Sequence, residues 1–236
     1  GKVIDNIDVK ISYKIIELFS AGLYSSPNKA FEELICNSYD AFASKVSVFL
    51  PDDLTEEGAY IFVADNGEGL NQEEMKDLWK IGESKKSSMV EKEGQRLQIG
   101  QFGIGKLSTY ILAHKLTYIS KKANRYLLVT MDYNRIQTST EQLQLEEKEL
   151  LLSEAQDLVK KYTTINGKNI IDFELFGDKA ETNWTISLLT NLKPKAAEIQ
   201  KGRLKWILET ALPLNPQFNL NFNGTPLVSS KVNIGI

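Results

Sequence analysis

The sequence predicts an α+β fold, a two-layer sandwich in which helices cover one face of a mixed, mostly antiparallel sheet. Two helical patterns come early in the chain, and several short strand patterns follow them. Helices and strands that are segregated in this way are typical of α+β domains. The chain has 236 residues, of which 42% are hydrophobic and 25% are charged. This composition is that of a globular protein with one large domain, or one domain and the start of another.

The overall charge and the cysteine content exclude several classes of protein. A formal net charge of −3 and a pI near 5.5 give no global basic field for nucleic acid. The single cysteine, Cys36, excludes an intrachain disulfide. We find no signal peptide and no apolar run that could span a bilayer, so we expect a cytoplasmic protein without membrane contact. Because the chain begins at Gly1 and ends within a structured pattern, we expect it to be part of a longer protein.

Apolar spacing marks each element in the first part of the chain. Apolar residues recur at helical spacing before Gly22 and again after Ser26-Pro27-Asn28, which is a typical helix start. Alternating residues then predict strands, and Asn71 is a typical N-cap. The predicted elements are, in order, helix 12–22, helix 28–43, strand 45–50, strand 59–64 and helix 72–80.

The second part of the chain begins with a polar stretch that is rich in lysine and serine, residues 82–98. Loops of this length in compact domains are usually functional, and we expect a mobile loop here. The Asn223-Gly224 pair predicts a hairpin turn near the end of the chain. The other predicted elements are helix 104–113, strands 115–121 and 125–133, charged helix 140–161, strands 169–176 and 182–192, helix 194–211 and strand 217–223.

A stripe of polar residues lies on the second predicted helix. Glu33, Asn37 and Asp40 are spaced i, i+4 and i+7, so they share one face, and the usual explanation is a solvated helix surface. A functional interpretation gives each a role beside a nucleotide. The Asn37 amide oxygen suits Mg²⁺, and Glu33 could orient or deprotonate a water that attacks a γ-phosphate. Ala41 would leave room beside a flat ring.

A second motif, Asp65-Asn66-Gly67-Glu68-Gly69, follows an apolar strand. A buried carboxylate at a strand end can accept a hydrogen bond from an exocyclic amine such as that of adenine. Gly67 and Gly69 let the backbone turn tightly and approach a ligand. A simple turn is the alternative, because Asn-Gly is a strong turn dipeptide.

A third motif, Gly100-Gln101-Phe102-Gly103-Ile104-Gly105-Lys106, is a glycine-rich turn that opens a predicted helix. Backbone N–H groups and a helix N-terminus bind phosphate well. The segment nearly matches a P-loop, but Leu107 stands where a Ser or Thr must bind magnesium, and no strong strand precedes it. The sequence therefore disfavours a P-loop enzyme.

Together, the three motifs resemble the GHKL superfamily, which includes the DNA gyrase B subunit, the ninety-kilodalton heat-shock chaperone, histidine kinases and MutL. The resemblance covers roughly residues 12–190 and is greatest to the chaperone-like and MORC-like branches. It implies the Bergerat fold, with an ATP-binding domain over residues 1–192. Residues 193–236 would end that domain or begin a transducer domain, and residues 82–99 correspond to the ATP lid.

The resemblance also assigns roles to single residues. Glu33 matches the catalytic base, Asn37 the magnesium ligand and Asp65 the aspartate that reads adenine. The remaining positions that match nucleotide-binding residues are Asp40, Ala41, Gly67, Gly69, Leu70, Gly100, Gln101, Phe102, Gly103, Ile104 and Gly105. The family usually has a threonine on a late strand, for which Thr182 and Thr185 both remain candidates. Lys106 replaces an aromatic residue of the chaperone branch, and it either contacts phosphate or solvates the helix start.

The resemblance implies an enzyme that uses ATP and Mg²⁺ as a conformational switch through lid closure or dimerisation, with slow hydrolysis by this chain alone. Its partners would be ATP, ADP and a second copy of the full-length protein, and a MORC-like protein would be nuclear. One alternative is a regulatory ATP-binding module with little turnover. Another is the ATPase part of a DNA-associated machine. That alternative is supported only by a basic cluster, which comprises Lys193, Lys195, Lys201, Arg203 and Lys205.

Overall fold

The computed structural model describes residues 1–9, 26–79, 105–135, 143–211 and 218–228. Within these ranges, nine strands form one sheet in the order β1-β6-β5-β4-β9-β3-β2-β10-β11, and β7 and β8 form a separate pair. Only the β10–β2 pairing is parallel among the pairings described. The strands are β1 (Lys2–Val9), β2 (Lys45–Phe49), β3 (Ile61–Asp65), β4 (Ala113–Lys122), β5 (Arg125–Asp132), β6 (Leu143–Leu150), β7 (Thr164–Ile165), β8 (Lys168–Asn169), β9 (Trp184–Leu192), β10 (Asn219–Phe222) and β11 (Thr225–Pro226). The predicted α+β class with a mixed, mostly antiparallel sheet is confirmed.

Four α-helices lie within the described residues, together with three short 3-10 segments. The helices are α1 (Pro27–Asp40), α2 (Gln72–Leu78), α3 (Leu152–Thr163) and α4 (Lys201–Ala211). The 3-10 segments are Gly105–Ile111, Tyr133–Arg135 and Pro194–Glu198. The predicted N-cap of α2 is confirmed, because Asn71 and Glu74 form a reciprocal capping box. In the described part of the chain, no helix has the length and apolar character that crossing a membrane requires.

The sheet has a core on each face, and strand alternation decides which residues enter which core. Ile61 and Val63 of β3 pack in the core that also contains apolar residues of α1 and α4. Phe62 and Ala64 of the same strand point the other way, into a smaller core under α3. All five residues of β3 are buried, as expected for a central strand that is covered on both faces.

The predicted helix over residues 140–161 was wrong in its first half. The described residues 143–150 form strand β6, which pairs with β1 on one side and β5 on the other. Leu145 and Glu147 are fully buried while Gln144 and Glu146 are exposed, so burial follows a period of two. The charged residues suggested a helix, but pairing with two neighbouring strands overrides this weak preference. The sequence pattern gave no sign of β1.

Other predicted boundaries also need correction. Residues 170–176 are irregular rather than a strand, although Ile171, Phe173 and Leu175 alternate into the smaller core. The predicted helix 194–211 is interrupted after Glu198, and the predicted helix 104–113 is a 3-10 segment that ends at Ile111. The hairpin at Asn223-Gly224 is confirmed by β10 and β11. The predicted helix 12–22 and the predicted loop 82–98 lie outside the described residues.

Candidate functional site

A buried carboxylate, Asp65, lies at the centre of the candidate site. It is the last residue of β3, and only 6% of its surface is exposed. The Ser38 hydroxyl of α1 donates to Oδ2 at 2.9 Å, and the backbone N–H of Gly67 donates to Oδ1 at 3.0 Å. Among the described residues, each oxygen has one donor, which leaves a lone pair for a further one.

Burial raises the pKa of Asp65 to about 6, against the lowering effect of the Gly67 and Ser38 hydrogen bonds. Desolvation disfavours the charged form of a carboxyl group, and here it outweighs both donors. The carboxylate is nevertheless ionised near pH 7.5, where it acts only as an acceptor. A group of this kind is suited to receive the N–H of a ligand.

A row of polar side chains extends from Asp65 across two neighbouring strands. Asp65 pairs with Thr185 of β9, and Thr185 pairs with Ser120 of β4. The Thr185 and Ser120 hydroxyls are 3.1 Å apart, and the backbone N–H of Leu70 donates to the Ser120 hydroxyl at 2.8 Å. These side chains therefore join the end of β3 to the loop that follows it.

Of the two candidate threonines, only Thr185 lies beside Asp65. Thr185 is the direct cross-strand partner of Asp65 and is 9% exposed. Thr182 is exposed and precedes β9, which begins at Trp184. The geometry thus brings Thr185 into the polar row with Asp65 and leaves Thr182 outside it.

The two glycines of the second motif pack against the protein backbone. A Cβ atom on Gly67 would lie 2.6 Å from the Ala41 carbonyl oxygen. A Cβ atom on Gly69, whose φ is +64°, would lie 2.4 Å from the Lys121 carbonyl oxygen. The Glu68 N–H also donates to the Ala41 oxygen at 2.9 Å. Close approach within the protein is therefore sufficient to require glycine at both positions, and it holds the second motif against the end of α1.

The polar stripe of α1 leads away from Asp65 along the helix. Asn37, next to Ser38, is exposed, whereas Asp40 is half-buried. The Glu33 side chain is 22% exposed, and one of its oxygens lies 3.8 Å from the Lys29 ammonium group. Burial raises the pKa of Cys36 to about 11, and the nearby Glu33 and Asp40 carboxylates add to this effect. The stripe is therefore a negatively charged surface with an amide in its middle.

Only the end of the glycine-rich motif falls within the described residues. Gly105 and Lys106 open the 3-10 segment Gly105–Ile111, which packs against α1. Gly100, Gln101, Phe102, Gly103 and Ile104 lie outside the described residues, as does the predicted lid over residues 82–99. The assignment of phosphate contacts to this motif stays a prediction.

Sequence reasoning missed four residues on the face of the sheet that carries Asp65: Ser38, Ser120, Tyr118 and Trp79. The sequence did contain a signal for Ser120 and Tyr118. They are two residues apart on the predicted strand, so their side chains lie on the same face of the sheet. Ser38 directly follows Asn37 on the helix. The contact of Trp79 with Tyr118, at 5.8 Å between ring centroids, brings together separate elements and has no local signal.

Comparison with known proteins identifies a matching family and several similar proteins. A family described as histidine kinase-, DNA gyrase B-, and HSP90-like ATPase matches residues 24–164. Chaperone protein HtpG of Orientia tsutsugamushi is 31% identical over 130 residues, which are 47% of this chain and 21% of that protein. HtpG of Sulfurovum sp. is 30% identical over 131 residues, with the same coverage of 47% and 21%. The TNF receptor-associated protein 1 homolog, mitochondrial, of Dictyostelium discoideum is 29% identical over 130 residues, with coverage of 47% and 18%. The matched region is thus about a fifth of the length of these relatives.

Proposed function

The chain belongs to the histidine kinase-, DNA gyrase B- and HSP90-like ATPase family, and we propose that it binds ATP with Mg²⁺ and hydrolyses it. The buried Asp65 carboxylate carries this proposal, because it has an open lone pair on each oxygen and a hydroxyl row beside it. Asp65 would accept a hydrogen bond from the exocyclic amine of adenine. Thr185 and Ser120 would support the same edge of the base.

The stripe on α1 is proposed to serve the phosphate end of the nucleotide. Asn37 would supply an amide oxygen to Mg²⁺, which takes few protein ligands beside water and phosphate oxygens. When bound, Mg²⁺ would neutralise charge on the phosphates. Glu33 would accept the proton of the attacking water, and its position one turn before Asn37 supports this role. The exposed Asn37 and the partly exposed Glu33 are open to a ligand and its water.

The relatives suggest a wider role for the longer protein. Two of the three are named chaperones, and by this likeness we infer that nucleotide binding drives a conformational switch and self-association. The lid over residues 82–99 stays a prediction. We also infer that residues 193–228 complete the nucleotide domain, because β10 pairs with β2 and Leu204 of α4 enters the core beside α1.

The basic cluster gives little support to a nucleic-acid role. Lys195 pairs with Glu198 at 2.6 Å, Lys205 lies 3.9 Å from Glu209, and Lys201 pairs with Asp52. The Lys193 ammonium group lies over the Tyr110 ring, 3.3 Å from its centroid. Most of these charges are therefore used within the protein, which weakens the field available to a phosphate backbone.

The proposed ATPase activity is tested with two neighbouring glutamates. We expect Glu33→Ala to retain ATP affinity within about twofold and to reduce turnover by about 100-fold or more, the effect of losing a general base. Glu32→Ala is the control, because Glu32 is the other carboxylate paired with Lys29, at 3.0 Å. Calorimetry would measure binding, and phosphate release would measure turnover.

Equal turnover by Glu33→Ala and the unmodified chain would contradict the catalytic assignment. Magnesium-dependent ATP binding without turnover by the unmodified chain would instead support a regulatory binding module. The absence of ATP binding by the folded chain would contradict the proposed function.

A further inference from the structure

Two buried polar groups on the face of the sheet that carries Asp65 have no hydrogen-bond partner within the described residues. The Tyr118 hydroxyl on β4 is one of them, and the indole N–H of Trp79, directly after α2, is the other. Tyr118 is 4% exposed and Trp79 is fully buried. Their rings meet edge to face, with centroids 5.8 Å apart and an interplanar angle of 73°. Such groups are rare in native proteins, and each calls for an explanation.

Tyr118 lies on the same face of the sheet as the polar row. It precedes Ser120 by two residues on β4, so both side chains point toward α1. Ser187 lies directly across on β9, but its hydroxyl does not meet hydrogen-bond geometry with the phenol. Burial raises the pKa of Tyr118, a weak side-chain interaction with the Ser187 hydroxyl lowers it, and the negative charge of Asp65 raises it. The register thus places Tyr118 one side-chain position along β4 from Ser120, which belongs to the same polar row as Asp65.

We propose that Tyr118 and Trp79 determine which base the site accepts, by donating hydrogen bonds to ring nitrogens directly or through one ordered water. The inference rests on the proposed function and deepens it. An indole N–H is a donor only, a phenol can donate, and an ionised carboxylate only accepts. Together, these three groups would offer one acceptor and two donors. A 6-aminopurine presents the complement, an amino donor flanked by ring acceptors, whereas guanine places an acceptor oxygen at the amino position.

The unpaired donors also affect the difference in affinity between bases. Because these donors are already buried and unpaired within the described part of the protein, a base that pairs with them removes that cost on binding, whereas a base that cannot pair leaves the cost in place. Tyr118 and Trp79 would therefore act by favouring bases with acceptors at the matching positions. Both would bind the base and need not touch the phosphates.

The test compares Tyr118→Phe with Tyr133→Phe in nucleotide titrations. Tyr133 is an equally buried tyrosine, but its hydroxyl already has a protein partner, Thr109 Oγ1, at 2.9 Å. We expect Tyr118→Phe to weaken ATP binding about 5- to 15-fold, the loss of one hydrogen bond. Weak GTP binding should stay unchanged, so the preference for ATP falls. Tyr133→Phe should leave both affinities within about twofold of those of the unmodified chain.

Trp79 gives a spectroscopic readout that does not depend on the tyrosine variants. The Trp184 indole already donates to the Leu175 carbonyl oxygen at 3.0 Å, and Trp206 is 62% exposed. A change in tryptophan emission on ATP binding should therefore come mainly from Trp79. We expect Trp79→Phe to abolish this change and to weaken ATP binding.

The outcomes separate this inference from the proposed function. ATP binding that is lost in Asp65→Asn but unchanged in Tyr118→Phe, with emission changes that persist in Trp79→Phe, would overturn the inference alone. A folded chain that binds no ATP would overturn both. A Tyr118→Phe variant that melts earlier yet binds ATP as before would show a structural role and would also overturn the inference.

Discussion

The most informative single perturbation is Asp65→Asn, because it should stabilise the ligand-free protein while removing its function. Burial raises the pKa of Asp65 from 3.8 to about 6. At neutral pH the ionised side chain therefore costs the fold about 3 kcal/mol relative to its neutral form, at 1.36 kcal/mol per pKa unit. Asparagine is neutral and nearly isosteric, so this cost disappears in the variant.

Part of this gain is offset by the geometry of the donors. Ser38 and Gly67 donate to different oxygens of Asp65, and asparagine has only one carbonyl oxygen. Losing one of the two hydrogen bonds costs about 1 kcal/mol. The net gain is then about 2 kcal/mol, which raises the melting temperature by about 4–8 °C in a chain of this size.

The raised pKa of Asp65 determines how the stability of the fold changes with pH. Between pH 3.8 and about 6 the folded protein holds a proton on Asp65 that the unfolded chain releases. The contribution of Asp65 to stability therefore falls as pH rises through this window and is constant above about pH 7. The advantage of Asp65→Asn should be full at pH 7.5 and should shrink to nearly zero at pH 4.5.

Thermal unfolding of both proteins at the two pH values is the assay, with ATP titrations alongside. Asp8→Asn, at an exposed aspartate of β1, is the control and should change the melting temperature by less than about 2 °C. We expect Asp65→Asn to melt higher at pH 7.5 and to bind no ATP. A lower melting temperature at pH 7.5, or an advantage that does not depend on pH, would refute the assignment of a buried, ionised carboxylate.

Three further predictions concern the supports of the site. Thr185→Val should weaken ATP binding by about 5- to 30-fold, while Thr182→Val should leave it unchanged in calorimetry; equal effects would contradict the choice that strand alternation favours. Gly67→Ala should lower the free energy of unfolding by about 1–3 kcal/mol in urea, because its Cβ would lie 2.6 Å from the Ala41 oxygen; an unchanged value would mean that the backbone relaxes there. Asn71→Ala should cost about 1 kcal/mol in the same assay by removing the N-cap of α2, and a cost near zero would argue that the Glu74 side of the capping box is sufficient.

The sequence predicted local features well and long-range pairings poorly. The start of α1, the cap of α2, strands β2 to β5 and the last hairpin depend on neighbouring residues, and the structure places each close to its predicted position. Strand β6 was predicted as a helix because its many glutamates tell nothing about β1 and β5, which pair with it. For the same reason the choice between Thr182 and Thr185 stayed open until the register of β9 against β3 was known.

The groups around Asp65 also explain why affinity and stability should be linked in this site. Within the described residues, the Tyr118 hydroxyl and the Trp79 N–H have no hydrogen-bond partner, and Asp65 is ionised at neutral pH in a buried position. Each of these conditions disfavours the folded state. A ligand that pairs with all three groups would remove these costs at once, and its binding energy would include this recovery. A site composed of unsatisfied groups can therefore be selective without many contacts, because a ligand that pairs with only some of them leaves the remaining costs in place.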